Sequence, residues 1–344
     1  MRAMVVLAMT MCCVYAYAAD FVVDGISYTI TDNAGSVVKV VAGSEKYTGS
    51  VVIPETVTNV YKTYTVKSIG SRAFYNCTDL ESVSMGNTIE SIESYAFSGC
   101  SSLVTINWPS SLSEFGSSAF EGCKSLESVT LGSKVQSMGG YVFQNCTRLN
   151  TLTIEEGCSV IGNNAFKACT SLKHVLIPAS VTSLGSDAFY GCNSLEKVVI
   201  GDGIRELNGY TFYKCSALTV VELGTKVREV NNYCFSGCSS IQSIYLPTTT
   251  VPDAYNNTFA NYNATLYVPS TSLEDYKAHE IWGKFFADGA IKPLEDYTTG
   301  IRTYAVEHKA DRVYDLNGLT TNAAHHGINI VRMSDGSIRK VMVK

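Results

Sequence analysis

The sequence predicts a repeat solenoid with one short β-strand per coil, and three observations carry that prediction. Cys77, Cys100, Cys123, Cys146, Cys169, Cys192, Cys215 and Cys238 stand 23 residues apart without a slip. Three residues before each lies Phe74, Phe97, Phe120, Phe143, Phe166, Phe189, Phe212 or Phe235. Three residues after each lies Leu80, Leu103, Leu126, Leu149, Leu172, Leu195, Leu218 or Ile241, and further apolar positions follow six and eight residues on, as at Val198 and Ile200. A fixed period of this length is the signature of coils that cannot bury their apolar faces alone and must stack.

Within one coil, the spacing of Leu80, Val83 and Met85 predicts a turn and then a strand, with Val83 and Met85 inward and Ser82 and Ser84 outward. Glycine or proline ends most strands (Gly86, Pro109, Gly132, Pro178, Gly201, Gly224, Pro247). A second apolar step such as Val181 and Leu184 precedes a tight turn carrying Ala-Phe-x-x-Cys. Val142, Thr211 and Cys234 replace the small alanine, and Glu155-Glu156-Gly157-Cys158 follows the strand of the Cys146 coil.

The pattern Leu-x-x-Val-x-Ile-Pro-x-x-Val-x-x-Leu-Gly-x-x-Ala-Phe-x-x-Cys at 172–192 resembles the BspA-like leucine-rich repeat family of bacterial surface proteins. The resemblance spans about residues 21–295. It implies a leucine-rich-repeat superhelix with terminal caps, and adhesion to host extracellular proteins or to other bacteria.

Taken in order, residues 1–19 read as a secretory signal peptide, with Arg2, an apolar run and Ala16-Tyr17-Ala18 before the cut. Residues 20–68 alternate as short strands with Gly25 and Asn33 to Gly35 at turns, a β-rich N-terminal cap. Residues 69–247 hold the eight-coil solenoid. Beyond Cys238 the period breaks, and residues 248–295 are expected to close the end as a C-terminal cap. That cap comprises a strand at 265–268 and a helix over 271–286, with Thr271 and Glu274 as a capping box and Trp282, Phe285 and Phe286 sealing the core. Residues 296–344 form a linker and a small β tail. From 301 on, seven Lys and Arg face four Asp and Glu, and the tail resembles the sorting domains of the Bacteroidota type IX secretion route.

Charge and motifs exclude several functions. The net charge of −5 shows no basic stripe, which argues against nucleic acid. No apolar stretch after the leader is long enough for a transmembrane helix. The five histidines are scattered, no H-E-x-x-H, phosphate loop or G-x-S-x-G is present, and a 23-residue spacing builds no chelate, so neither enzyme activity, cofactor nor metal is expected. The cysteine ladder reads as a stack of reduced, inward thiols acting as small apolar fillers. Cys158 and Cys234 lie off it and are the positions where other thiol chemistry is expected.

The informative surface is the strand face, at the positions five and seven after each cysteine. In the first four coils these are small and polar (Ser82, Ser84, Thr105, Asn107, Ser128, Thr130, Thr151, Thr153), as suits any exposed strand. In the last four the mixture of His174, Leu176, Lys197, Val199, Glu222 and Tyr245 marks a partner-binding patch. The expected partner is a host matrix or cell-surface protein, or another bacterial surface. The alternative is a glycan or nutrient capture module beside surface enzymes.

Overall fold

A computed structural model describes residues 19–286 and 290–295, together with the backbone of four strands in the tail. The expected signal peptide (1–19) and the expected linker (296–300) lie outside the described residues, save for Ala19. The chain winds into a β-solenoid in which equivalent residues of successive coils pair in parallel, as in Val129 with Leu152 and Val198 with Val221. Each coil contributes the predicted strand and, after a turn, a second two-residue strand such as Ser137–Met138 or Ser183–Leu184.

The core is one continuous cluster along the whole solenoid. Its axis is a column of phenylalanines from Phe74 to Phe235, all fully buried. Neighbouring rings are parallel within 5–12° and 4.7–5.5 Å apart. That separation is the spacing of hydrogen-bonded strands, so the backbone ladder itself sets the ring stacking. Tyr47 covers the N-terminal end of the column, 4.7 Å from Phe74.

The recurring turn explains why cysteine sits three residues after phenylalanine. The Phe120 carbonyl accepts the Cys123 backbone N–H at 3.1 Å and the thiol of Cys146, one coil on, at 3.3 Å. The same thiol-to-carbonyl step recurs from Cys100 through Cys238 at 3.0–3.3 Å. A carbonyl has two lone pairs, and the thiol supplies a weak donor to the second while filling space as a small apolar group. All ten cysteines among the described residues are free and buried. Cys158 and Cys234 are no exception, against expectation: Cys158 occupies the apolar position held elsewhere by Val135 and Val181, and Cys234 the alanine position, so both are core fillers.

Coils approach closely at the glycine that follows the second strand. A β-carbon at Gly162 would lie 2.4 Å from the Gly139 carbonyl oxygen and 2.6 Å from its carbon, both backbone atoms that cannot swing away. Gly162→Ala is therefore expected to cost about 1–3 kcal/mol by forcing two coils apart. Gly132→Ala, which meets nothing within 4 Å, is the control and should be neutral in the same urea titration.

The strand ladder is interrupted where the sequence departs from the pattern. Trp108 stands where other coils carry Leu, Ile or Met, and its indole packs against Phe115, Phe120 and Phe143. The strand there shrinks to Thr105–Ile106, and the Asn107 amide takes over, accepting from Met85 N at 2.6 Å and donating to Met85 O at 2.7 Å. A six-stranded parallel sheet then begins at His174–Ile177 and runs unbroken to Ile291–Pro293.

The solenoid also outlasts its cysteine period. After Cys238 the chain makes another coil, with Phe259 stacked on Phe235 at 5.7 Å and Thr265–Val268 paired on Ser243–Tyr245. Tyr262 stands in the cysteine position. Trp282 and Phe285 meet Phe259 edge-on, both at 5.2 Å, and the Trp282 indole donates to Pro252 O at 2.7 Å. The long helix expected over 271–286 is broken into a 3-10 turn at Ser270–Ser272, an α-helix at Leu273–Ala278 and a second 3-10 turn at Trp282–Phe286. The capping box does not form, and Glu274 pairs with Lys277 at 2.7 Å. His279 is extended, and its Nδ1 accepts the Ile281 N–H at 3.2 Å; this breaks the helix and lets Trp282 turn into the core.

In the tail, Ala310–Tyr314, Thr320–Thr321, Gly327–Met333 and Ile338–Val343 form a four-stranded antiparallel sheet. The expected Asn317-Gly318 turn lies outside the described residues.

Candidate partner-binding face

The six-stranded sheet starts at the coil where the outward residues change from hydroxylic to mixed. Parallel register sorts the outward side chains into two rows. One row is His174, Lys197, Val220, Ser243 and Thr265; the other is Leu176, Val199, Glu222, Tyr245, Tyr267 and Lys292. All six residues singled out in the sequence therefore share one face of one sheet.

Their exposures differ. His174, on the first strand of the sheet, is exposed. Leu176, Val199, Lys197 and Glu222 are half-buried by their neighbours in the rows. Lys197 Nζ lies 2.8 Å from Glu222 Oε1, an ion pair that bridges adjacent strands diagonally and fixes two otherwise long-reaching charges flat on the sheet. Although His174 is exposed, partial desolvation by the neighbouring coil holds its imidazole below the ordinary 6.5; Glu196 opposes that shift, and Lys197 and Lys173 add to it.

Tyr245 is the correction. Expected as an exposed aromatic, it is only 7% exposed, because its ring stacks on Tyr267 at 4.8 Å and 10°. Sequence reading ended the repeat at Cys238 and so left no coil to cover it. Tyr267 and Lys292 were missed for the same reason; the alternation of Leu266, Tyr267 and Val268 was the available signal. Among the described residues no group of three metal-ligating side chains occurs, and no helix is long and apolar enough to cross a membrane. The face offers a preorganised surface of apolar and paired polar groups.

A family model described as the BspA type leucine rich repeat region, in 6 copies, matches residues 54–173 and 159–277. Among solved structures the chain is similar to a leucine rich repeat protein of T. pallidum, at 25% identity over 63% of this chain and 88% of that one (TM-score 0.44). It is also similar to a leucine rich cell surface protein from Faecalibacterium prausnitzii A2-165, at 22% identity over 74% and 89% (TM-score 0.45). The pneumococcal vaccine antigen PcpA is similar at 16% identity over 79% and 96% (TM-score 0.46). No curated protein matches significantly.

Proposed function

The chain belongs to the BspA-type leucine-rich repeat family, and from that membership we propose an adhesin-like protein that binds a host extracellular protein or another bacterial surface through its six-stranded sheet. The observation that carries this reading is the coincidence of two boundaries. The sheet becomes continuous at His174–Ile177, and the outward side chains become apolar and charged at that same strand. Exposed hydroxyls need no explanation on a strand, whereas Leu176 and Val199 aligned beside a fixed Lys197–Glu222 pair form an apolar strip with a polar border. That is the anatomy of an interface patch. Solenoid surfaces bind by area and rigidity, since little ordering is left to occur on contact. The proposal places the protein outside the cell, with residues 1–19 as leader and the β tail as an export element.

The test is binding of the full mature chain to immobilised matrix proteins, with a Leu176→Ser/Val199→Ser variant alongside. Tyr245 stays unchanged because it is buried. The variant is expected to bind its ligand at least about tenfold more weakly, the size of one lost apolar hot spot, at an unchanged melting midpoint. Undiminished binding would remove the sheet from the interface.

A further inference from the structure

The edge formed by the Ala-Phe turns carries a second surface that the strand-face reading does not use. Each of the eight turns puts the residue two before phenylalanine in the left-handed region: Arg72, Tyr95, Ser118, Tyr141, Asn164, Asp187, Tyr210 and Tyr233, with φ of 57–62°. Asn suits that conformation and tyrosine does not, because its β-carbon crowds the following carbonyl oxygen. Yet tyrosine holds four of the eight positions, and Tyr95, Tyr141, Tyr210 and Tyr233 are 37–43% exposed. Strain retained for an exposed ring points to use of that ring.

These rings come together toward the C-terminal half. Tyr210 stacks on Tyr233 at 4.8 Å and 15°. Tyr213 meets Tyr210 edge-on at 5.3 Å and tilts against Tyr190 at 5.1 Å. Beside this cluster lies an open cleft of about 640 Å³, whose lining includes Tyr141, Gln144, Lys167, Tyr190, Asn193 and Lys214. Lys167 is committed to the wall: its Nζ sits 4.5 Å over the Tyr190 ring, 3.1 Å from Asn164 Oδ1 and 3.5 Å from Asp187 Oδ1. Lys214 lies 5.3 Å over the Tyr213 ring, and among the described residues no carboxylate pairs with it.

We propose that this cleft binds an acidic oligosaccharide. Tyrosine faces offer rigid apolar platforms to the C–H faces of sugar rings while their hydroxyls stay wet. Gln144 spends an amide N–H on Glu121 at 3.0 Å and Asn193 turns its amide nitrogen to the Gly191 and Lys214 carbonyls, which leaves both amide oxygens as acceptors for sugar hydroxyls. Lys214, which no carboxylate pairs among the described residues, is placed for a carboxylate on the sugar. A peptide would call for an unpaired sheet edge or a deeper apolar groove; this edge, with its amides spent between coils, supplies neither.

The experiment is an array of neutral and carboxylated oligosaccharides (uronate- and sialate-terminated) probed with the full chain. The variants borrow residues that other coils already hold at the same positions, so the turns should keep their shape. Tyr190→Ser with Tyr213→Ser follows Ser98 and Ser236, and Tyr141→Asn follows Asn164. Carboxylated glycans are expected to bind, the double variant to abolish the signal, and Lys214→Gln to lower it about tenfold to the neutral level, all without loss of melting midpoint. Tyr141→Asn should weaken glycan binding while melting at the same or a higher temperature. The proposal fails if no oligosaccharide is retained, if binding survives the double variant, or if neutral sugars bind as well as carboxylated ones. A silent array together with loss of a protein ligand in the double variant also overturns it and gives the edge to a protein partner. The Leu176→Ser/Val199→Ser variant should keep the full glycan signal, so the two surfaces stand or fall separately.

Discussion

Raising the pH above about 9.5 is expected to unfold the solenoid even with every thiol kept reduced. An unfolded cysteine ionises near 8.5. In the folded chain, burial pushes the thiols of Cys100 and Cys192 up to about 12 and raises those of Cys123, Cys146, Cys169, Cys215 and Cys234 well above their ordinary value. Below pH 8.5 both states keep their protons and the full stability is present. As pH rises toward the folded values, only the unfolded chain releases protons, so stability falls. One unit above 8.5 the loss is about 1.4 kcal/mol per thiol, and for these seven it sums to roughly 10 kcal/mol, the size of a whole domain's stability. The ladder makes the penalty strict, because a thiolate would also withdraw the donor that each phenylalanine carbonyl uses. Far-UV circular dichroism from pH 7 to 11 under reductant reads the transition, and return to pH 7.5 should restore the signal. A chain that keeps its strand signal at pH 11 would show that the thiols reach water and that the buried ladder is wrong.

Phe166→Ala is expected to be among the most damaging single substitutions, at about 3–5 kcal/mol. Phe166 is fully buried, with Phe143 at 5.4 Å and Phe189 at 5.2 Å on either side. Its removal leaves a cavity that its neighbours cannot close, because backbone hydrogen bonds such as Phe143 N to Ala165 O at 2.7 Å and Phe166 N to Ala188 O at 2.8 Å hold the coils apart at fixed spacing. Phe166→Leu keeps most of the apolar volume and should cost less than about 1.5 kcal/mol. Urea titration separates the two. Because coils couple only to their neighbours, the alanine variant should also broaden the transition as the two halves begin to melt apart. A cost below about 1 kcal/mol would make the aromatic column a bystander of the backbone ladder.

Periodic residues were readable because every coil meets an equivalent coil. Phe120 and Cys123 recur at fixed spacing for the reason that the contacts they make, ring on ring and thiol on carbonyl, recur too. From that record the sequence alone determined the solenoid, the inward cysteines and the strand face on which His174, Leu176, Lys197, Val199 and Glu222 align. Where coils meet unlike chain, the record stops. Phe259 continues the column without its cysteine, Tyr267 covers Tyr245, and His279 breaks a helix whose spacing looked continuous. Trp108 fits the apolar spacing and still interrupts the sheet, since its bulk is resolved only against Phe120 and Phe143. The tyrosine edge was hidden for a further reason: Tyr141, Tyr190, Tyr210, Tyr213 and Tyr233 fall at two different turn positions, and only stacking of the coils puts Tyr141 and Tyr190 on one cleft with the other three rings beside it. Spacing specifies what touches its own copy, and the tertiary structure decides what touches anything else.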